Sequence, residues 1–254
     1  MTPTHITGRD NPLLKRLRKL SRDNTAYRDK GQVWIEGDHL CGAALGRGVT
    51  PALMVFSESF WHLASVKWTS IATELVVIPD ALFAGFSALE SSAGLGFVVD
   101  VPQHVHPLPA AATVVLDRLQ DAGNVGSILR SAAAFGFTQV LAMKGTAALW
   151  SPKVLRAAMG AHFGLRLIEG LEPGAVDALT IPLVQTSSHL GQWLHEQPPP
   201  FPCAWILGHE GQGVGPDLAA RATLSVRIAQ PGGEESLNVA AAAAICLHAS
   251  MTAR

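Results

Sequence analysis

Leu13, Leu14, Leu17 and Leu20 recur at helical spacing directly after Asn11-Pro12, and Lys15, Arg16, Arg18, Lys19 and Arg22 fill the remaining arc. Asparagine before proline predicts a helix start, with Asn11 as the cap and Pro12 in the first turn. Short alternations follow. They predict strands over 52–56, 75–78 and 95–101 and helices over 37–45 and 79–89, a small α/β unit ending near residue 101. Three prolines in 102–110 then break every periodicity, so 102–112 is expected to link a domain of 1–101 to one of 113–254. Buried-strand runs resume at 113–116, 139–143, 183–186, 204–207 and 224–228, separated by helical patterns at 124–135, 152–159, 175–179 and 236–249. Strand and helix in alternation predict a mostly parallel sheet covered on both faces, whose ligands gather at the carboxyl ends of the strands.

With 48% apolar and 15% charged residues, 254 residues can fill a core, which excludes a disordered tail. Cys41, Cys203 and Cys246 stand far apart with no Cys-x-x-Cys pair, which argues against a disulfide framework and a cysteine zinc site, and no metal is expected. No uncharged apolar run approaches the roughly 18 residues of a membrane helix. Met1-Thr2-Pro3-Thr4-His5 has no basic-then-apolar signal, so a cytoplasmic protein without a membrane partner is expected. The net charge of −1 conceals an asymmetry: residues 1–30 carry eight Lys/Arg and three acids, or +5, and the rest carries −6. A basic arc on a rigid helix suits a polyanion, and it also suits a plain solvated surface.

Three segments depart from scaffold. In Asp117-Arg118-Leu119-Gln120-Asp121-Ala122-Gly123-Asn124 a strand ends, a polar loop follows, and Asn124 is placed to cap a helix that carries Arg130 in its second turn. The amino end of such a helix favours an anion. Gly208-His209-Glu210-Gly211-Gln212-Gly213-Val214-Gly215 follows another strand. Its four glycines imply left-handed turns or a close backbone approach, and the carboxylate of Glu210 needs solvent or a cationic partner. The loop has neither a Walker pattern nor a dinucleotide frame, which leaves a Rossmann-type enzyme without its fingerprint. His209 reads as a solvated loop histidine before it reads as a base. Third, Pro231-Gly232-Gly233-Glu234-Glu235 leads into Ser236-Leu237-Asn238-Val239 and an alanine-rich helix, where Ser236 or Asn238 can serve as a cap.

In this order and spacing the three segments resemble the motifs of the SPOUT superfamily, and more closely its TrmH/SpoU branch of RNA ribose 2′-O-methyltransferases. Asn124, Gly126 and Arg130 match the first motif, Gly208, Glu210, Gly211 and Gly213 the second, and Ser236, Leu237, Asn238 and Val239 the third. Ile6-Thr7-Gly8-Arg9-Asp10-Asn11-Pro12 and Val33-Trp34-Ile35-Glu36-Gly37 are similar to the substrate-binding domain that precedes this catalytic domain, itself similar to small RNA-binding ribosomal proteins. Three positions depart from the pattern: Ala122 stands where proline is usual, Ala229-Gln230 where Pro-Met is usual, and Ala240 where serine is frequent.

The resemblance implies an α/β fold whose parallel sheet ends in a deep trefoil knot, an exception to unknotted chains. It further implies S-adenosylmethionine as cofactor, a homodimer that completes the active site across subunits, and RNA as substrate, ribosomal before transfer RNA. Arg130, Asn124, Glu210, Ser236 and Asn238 would be the catalytic set, with Glu210 orienting Arg130 or a partner-subunit group and with Arg130 gripping the ribose or its phosphate or, as the alternative that a guanidinium's resistance to deprotonation disfavours, acting as the base. Gly208, Glu210, Gly213, Ile228, Gln230, Leu237 and Asn238 would hold the cofactor, and Arg9, Lys15, Arg16, Arg18, Lys19 and Arg28 the RNA. A SPOUT enzyme methylating a base nitrogen and an RNA-binding protein without transfer are the rival readings.

Overall fold

A computed structural model describes residues 2–68, 74–89, 91–187, 190–232 and 236–253. The chain divides into two compact units, one of residues 1–103 with 150–163 and one of 104–149 with 164–254. In the first unit β1 (Thr4–His5), α1 (Pro12–Arg22), α2 (Ala26–Lys30), β2 (Gln32–Glu36), α3 (Asp38–Gly46), β3 (Leu53–Ser57), α4 (Glu58–Trp68), β4 (Glu74–Ile78), α5 (Asp80–Ala84) and β5 (Leu95–Asp100) follow in order. Its strands lie as β1-β4-β3-β5-β2, parallel where β4 meets β1 and β3, antiparallel where β5 meets β2 and β3.

The Asn11 side chain accepts from the Leu13 N–H at 2.8 Å and Pro12 opens α1, as the dipeptide predicts. Leu14, Leu17 and Leu20 are buried with Trp34, Val55, Val76 and Phe83. Each such leucine contributes about 1.5–3 kcal/mol, so the stripe fixes α1 on the sheet and leaves Lys15, Lys19 and Arg22 exposed, with Arg16 and Arg18 half-buried. Met54, Phe56 and Phe97, which alternate to the other face, are buried as well. The helix expected over 79–89 stops at Ala84. Gly85 follows it, and Phe83 and Phe86 turn inward onto Trp34 with ring centroids 6.0 and 5.5 Å away.

The second unit contains β6 (Thr113–Leu116), α6 (Ala122–Ala134) and β7 (Gln139–Met143). The chain then leaves for the excursion carrying α7 (Pro152–Ala158), which groups with the first unit although the pattern assigned it to the second domain. It resumes with β8 (Arg166–Leu171), β9 (Leu183–Thr186), β10 (Gln192–Trp193), β11 (Ala204–Leu207), α8 (Pro216–Ala219), β12 (Leu224–Arg227) and α9 (Val239–Thr252). The expected helix over 175–179 is a 3-10 turn, Pro173–Ala178. The sheet runs β10-β12-β9-β11-β6-β7-β8, and every pairing among the described residues is parallel, as the strand–helix alternation predicts.

From β6 the chain moves outward through β7 and β8, while β11 flanks β6 on the other side. The carboxyl ends of β6 and β11 are therefore neighbours at the reversal of strand order, where α/β sheets place ligands. The proline-rich stretch after Gln103 is tied to this unit rather than left as a free tether. Leu108 N–H donates to Gln139 Oε1 at 2.7 Å, Thr180 N–H donates to Pro109 O at 2.9 Å, and Val105 packs on the core beneath β6 and β11. No helix among the described residues is long and apolar enough to cross a membrane.

Candidate active site

The segment after β6 enters α6 at Ala122. Asp121 is its cap, its Oδ1 accepting the Asn124 N–H at 2.7 Å. Asn124 is thus not the cap: it is the third residue of the helix, and Asp121, just before the first, already caps its N–H. Ala122 occupies the first helical position, where a proline would fit for its fixed φ and alanine fits by propensity. Relieved of capping, the Asn124 amide points elsewhere: Nδ2 donates to Glu210 Oε1 at 3.3 Å, and Oδ1 accepts from Asn238 Nδ2 at 3.0 Å. Asn238 in turn caps α9, its Oδ1 accepting the Ala240 and Ala241 N–H groups at 2.9 and 3.3 Å. One amide caps a helix and joins the cluster.

Glu210 is carried by the turn after β11. The chain doubles back there, with His209 N–H donating to Gly213 O at 3.0 Å and Gly213 N–H to His209 O at 2.8 Å. A Cβ on Gly208 would lie 2.1 Å from the Gly213 carbonyl carbon, and Gly213 has φ +67°, so both positions need glycine. His209 Nδ1 accepts the Gly211 N–H at 3.0 Å, so the imidazole braces the turn. Glu210 Oε1 also accepts the Asp121 N–H at 3.4 Å. Partial burial pushes this carboxyl up, but donors from its own backbone, Asn124, Asp121 and Gln120 outweigh burial and hold it below the ordinary glutamate range. It is an anion at the amino end of α6, where the helix dipole favours one.

The structure therefore bonds Asn124, Glu210 and Asn238 to one another across 86 and 114 residues of sequence. Glu210 spends its described bonds on Asn124 and Asp121 and not on Arg130. With α6 beginning at Ala122, Arg130 falls in the third helical turn, not the second, and stands exposed. Ser236 and Leu237 are exposed on the approach to α9, and α9 starts at Val239 rather than at Ser236. Gly233, Glu234 and Glu235 of that turn lie outside the described residues. Ile228 and Gln230 are half-buried after β12, and Gln230 Oε1 is a buried acceptor with no hydrogen-bond partner among the described residues. Sequence reasoning passed over Asp121, and over Asp117, Arg118 and Gln212, which bond around the same turn; a second cap-capable acid before Ala122 was the available signal.

Residues 111–248, more than half of the chain, match the model of the SpoU rRNA methylase family. The chain belongs to that family. The 23S rRNA (guanosine(2553)-2′-O)-methyltransferase RlmP of Bacillus subtilis is 32% identical over 219 residues, 84% of this chain and 86% of that one. A Porphyromonas gingivalis protein of the TrmH family superposes with a TM-score of 0.80 at 30% identity, covering 93% of this chain and 96% of that chain. A Sinorhizobium meliloti rRNA methyltransferase with bound AdoMet shares the fold at a TM-score of 0.84 and 22% identity, covering 98% of each chain.

The SpoU match takes in the whole Asn124–Glu210–Asn238 cluster and leaves α1 outside it. On the first unit, Arg9, Lys15 and Arg28 are exposed. Arg28 stacks over Tyr27 at 5.6 Å, Lys19 is paired to Asp29 at 2.7 Å, and half-buried Arg16 bonds Gln32. Of the six residues expected to hold RNA, Arg16, Lys19 and Arg28 are thus already engaged within the unit, Arg28 Nε also donating to the Tyr27 hydroxyl at 3.3 Å.

Proposed function

We propose that this SpoU-family protein transfers a methyl group from S-adenosylmethionine to a ribose 2′-hydroxyl in structured ribosomal RNA. The observation that carries the reading is the convergence of Asn124, Glu210 and Asn238 at the switch point between β6 and β11. The B. subtilis relative, named for 2′-O-methylation of 23S rRNA, supports the substrate class. The residues present fit the cofactor. Gln230 Oε1 is a buried acceptor that an amino group can satisfy, Gly208 and Ile228 follow the carboxyl ends of β11 and β12, and Leu237 is exposed on the approach to α9. These turns belong to the segment that a trefoil knot would thread.

S-adenosylmethionine, when bound, supplies an electrophilic methyl group on a sulfonium. The chain's task is to hold a ribose hydroxyl in line with it and to stabilise charge as the hydroxyl proton leaves. Arg130 grips the target ribose or its phosphate, since a guanidinium presents five donors in a planar fork and no acceptor. Ser236 and Asn238 hold the ribose or the cofactor carboxylate by hydrogen bonds. Glu210 holds Asn124, and through it Asn238, in register. The exposed face of α9, with Ala241 and Ile245, supports a second copy of the chain that completes the site. The RNA is held by the basic face of α1 with Arg9 and Arg28, and an unpaired loop or bulge is the form of RNA that such proteins read.

Arg130→Ala tests the assignment: turnover is lost while affinity for S-adenosylmethionine, measured by titration, stays within a few-fold. Near-normal methylation by that variant sinks the role of Arg130. Nucleoside analysis of the product RNA finds a 2′-O-methylated ribose, and a methylated base nitrogen would overturn the substrate position.

A further inference from the structure

Arg118 has φ +59°, a left-handed backbone that side chains other than glycine, asparagine and aspartate rarely adopt. Glycine would sit there without strain, so the side chain has a use. Its guanidinium forks onto Asp117, with Nε to Oδ1 at 2.9 Å and Nη2 to Oδ2 at 3.1 Å, and its Nη1 donates to Gln212 Oε1 at 3.1 Å. Asp117 is 4% exposed at the end of β6, and its Oδ2 also accepts the Gly215 N–H at 2.6 Å. The bend is held from behind: Arg118 N–H donates to Thr146 Oγ1 at 3.1 Å, and Thr146 Oγ1 donates to Leu116 O at 3.0 Å. At Gly215 a Cβ would stand 3.0 Å from Arg118 Nη2 and 3.2 Å from Asp117 Oδ2, so the fork and the turn are in direct contact.

Glu210 is thereby bracketed. On one side the turn closes on itself through His209 and Gly213, and on the other Gln212 and Gly215 are tied to Asp117 and Arg118. We propose that Asp117 and Arg118 form a latch that fixes the Gly208–Gly215 turn against the end of β6, making Arg118 a positioning residue for the transfer step. The proposal rests on the methyl-transfer reading for its catalytic part only. The latch sets where the Glu210 carboxylate meets Asp121 N–H and Asn124, and so where Asn238 is held. A buried carboxylate with three donors gives the fork a definite geometry that lysine, a point charge, does not reproduce.

The experiment compares the full-length wild type with Arg118→Gly, which removes the fork and relieves the backbone, and with Arg118→Lys. In Arg118→Gly, amide hydrogen exchange across 208–215 rises at least tenfold while exchange in β6 and β11 holds; the melting temperature falls by a few degrees, because the buried Asp117 keeps one of its three donors. With ribosomal RNA and S-adenosylmethionine, kcat falls at least tenfold while KM for RNA stays within twofold, and Arg118→Lys recovers only part of it. Unchanged exchange in 208–215 overturns the latch. Faster exchange with unchanged kcat overturns the positioning role. Exchange that rises equally in β6, β11 and 208–215 overturns it too, because a general loss of structure then accounts for the effect. If the wild type itself methylates no ribose, the methyl-transfer reading fails, and the exchange measurement still decides the latch.

Discussion

At the residue scale the site is held by neutral amides around one carboxylate. Asn124 both donates to Glu210 and accepts from Asn238, so Asn124→Ala breaks two bonds while Asp121 still caps α6. Both bonds lie at exposed positions, where water replaces a lost partner and stability changes little; the loss falls on the register of the cluster, so kcat is expected to fall about tenfold to a hundredfold with little change in melting temperature, measured by steady-state kinetics and calorimetry. Asp121→Ala acts oppositely: it removes the cap and costs about 1 kcal/mol of stability. Glu210 has a folded pKa below its ordinary value. Its contribution to stability is therefore complete above the unfolded pKa and is lost as pH falls through the folded one. The difference in melting temperature between the wild type and Glu210→Gln is expected to be present at neutral pH and to close on acidification below about pH 4. All three cluster residues were legible in the sequence from motif order and spacing. Their bonds to one another were not, because local pattern carries no information about partners 86 and 114 residues away. Nor does pattern rank Asp121 over Asn124 as cap, since both types cap well.

At the scale of elements, short strand runs bounded by turn residues were readable, even with polar ends, and β8 was not. The predicted runs at 113–116, 139–143, 183–186 and 204–207 coincide with β6, β7, β9 and β11, each flanked by turn residues. By contrast β8 carries Arg166, Glu169 and Gly170 at φ +73°, and its register with β7 slips between Leu141 and Met143, so its periodicity is blurred. The helix α1 was readable because cap, proline and leucine stripe agree. Its surface makes a prediction of its own. Lys15 is exposed, with Asp10 4.0 Å away, and Arg18 is half-buried, so both remain available to phosphate. Lys15→Ala with Arg18→Ala is expected to weaken RNA binding across sequences and to lower the slope of log K against log salt by roughly 0.7–0.9 for each phosphate that is no longer neutralised. A filter-binding series at several salt concentrations reads the slope directly.

At the scale of the whole molecule, the grouping of 150–163 with the first unit decides which experiments are clean. Val154, Leu155 and Ala158 of α7 are buried in that unit, so deleting residues 1–101 would strip their cover. Loss of RNA binding on truncation would then mix two causes, and the point changes on α1 are the better probe. The sequence did not signal this excursion because α7 has an ordinary start, with Ser151 accepting the Val154 N–H at 3.4 Å, and nothing local marks which sheet it packs on. The exposed side of α9 bears on assembly. Val239–Thr252 has no Lys, Arg, Asp or Glu, its Ala243, Cys246, Leu247 and Ser250 are buried, and Ile245 on the opposite side is 43% exposed beside Ala241 and His248. A helix apolar all round belongs in an interior, and a second copy laid on this face provides one while a charge placed there opposes it. Ile245→Glu is expected to give a monomer by sedimentation, with an unchanged far-UV spectrum and with turnover lost despite an intact Asn124–Glu210–Asn238 cluster. A variant that stays monomeric and turns over at the wild-type rate would show that one chain holds the complete site.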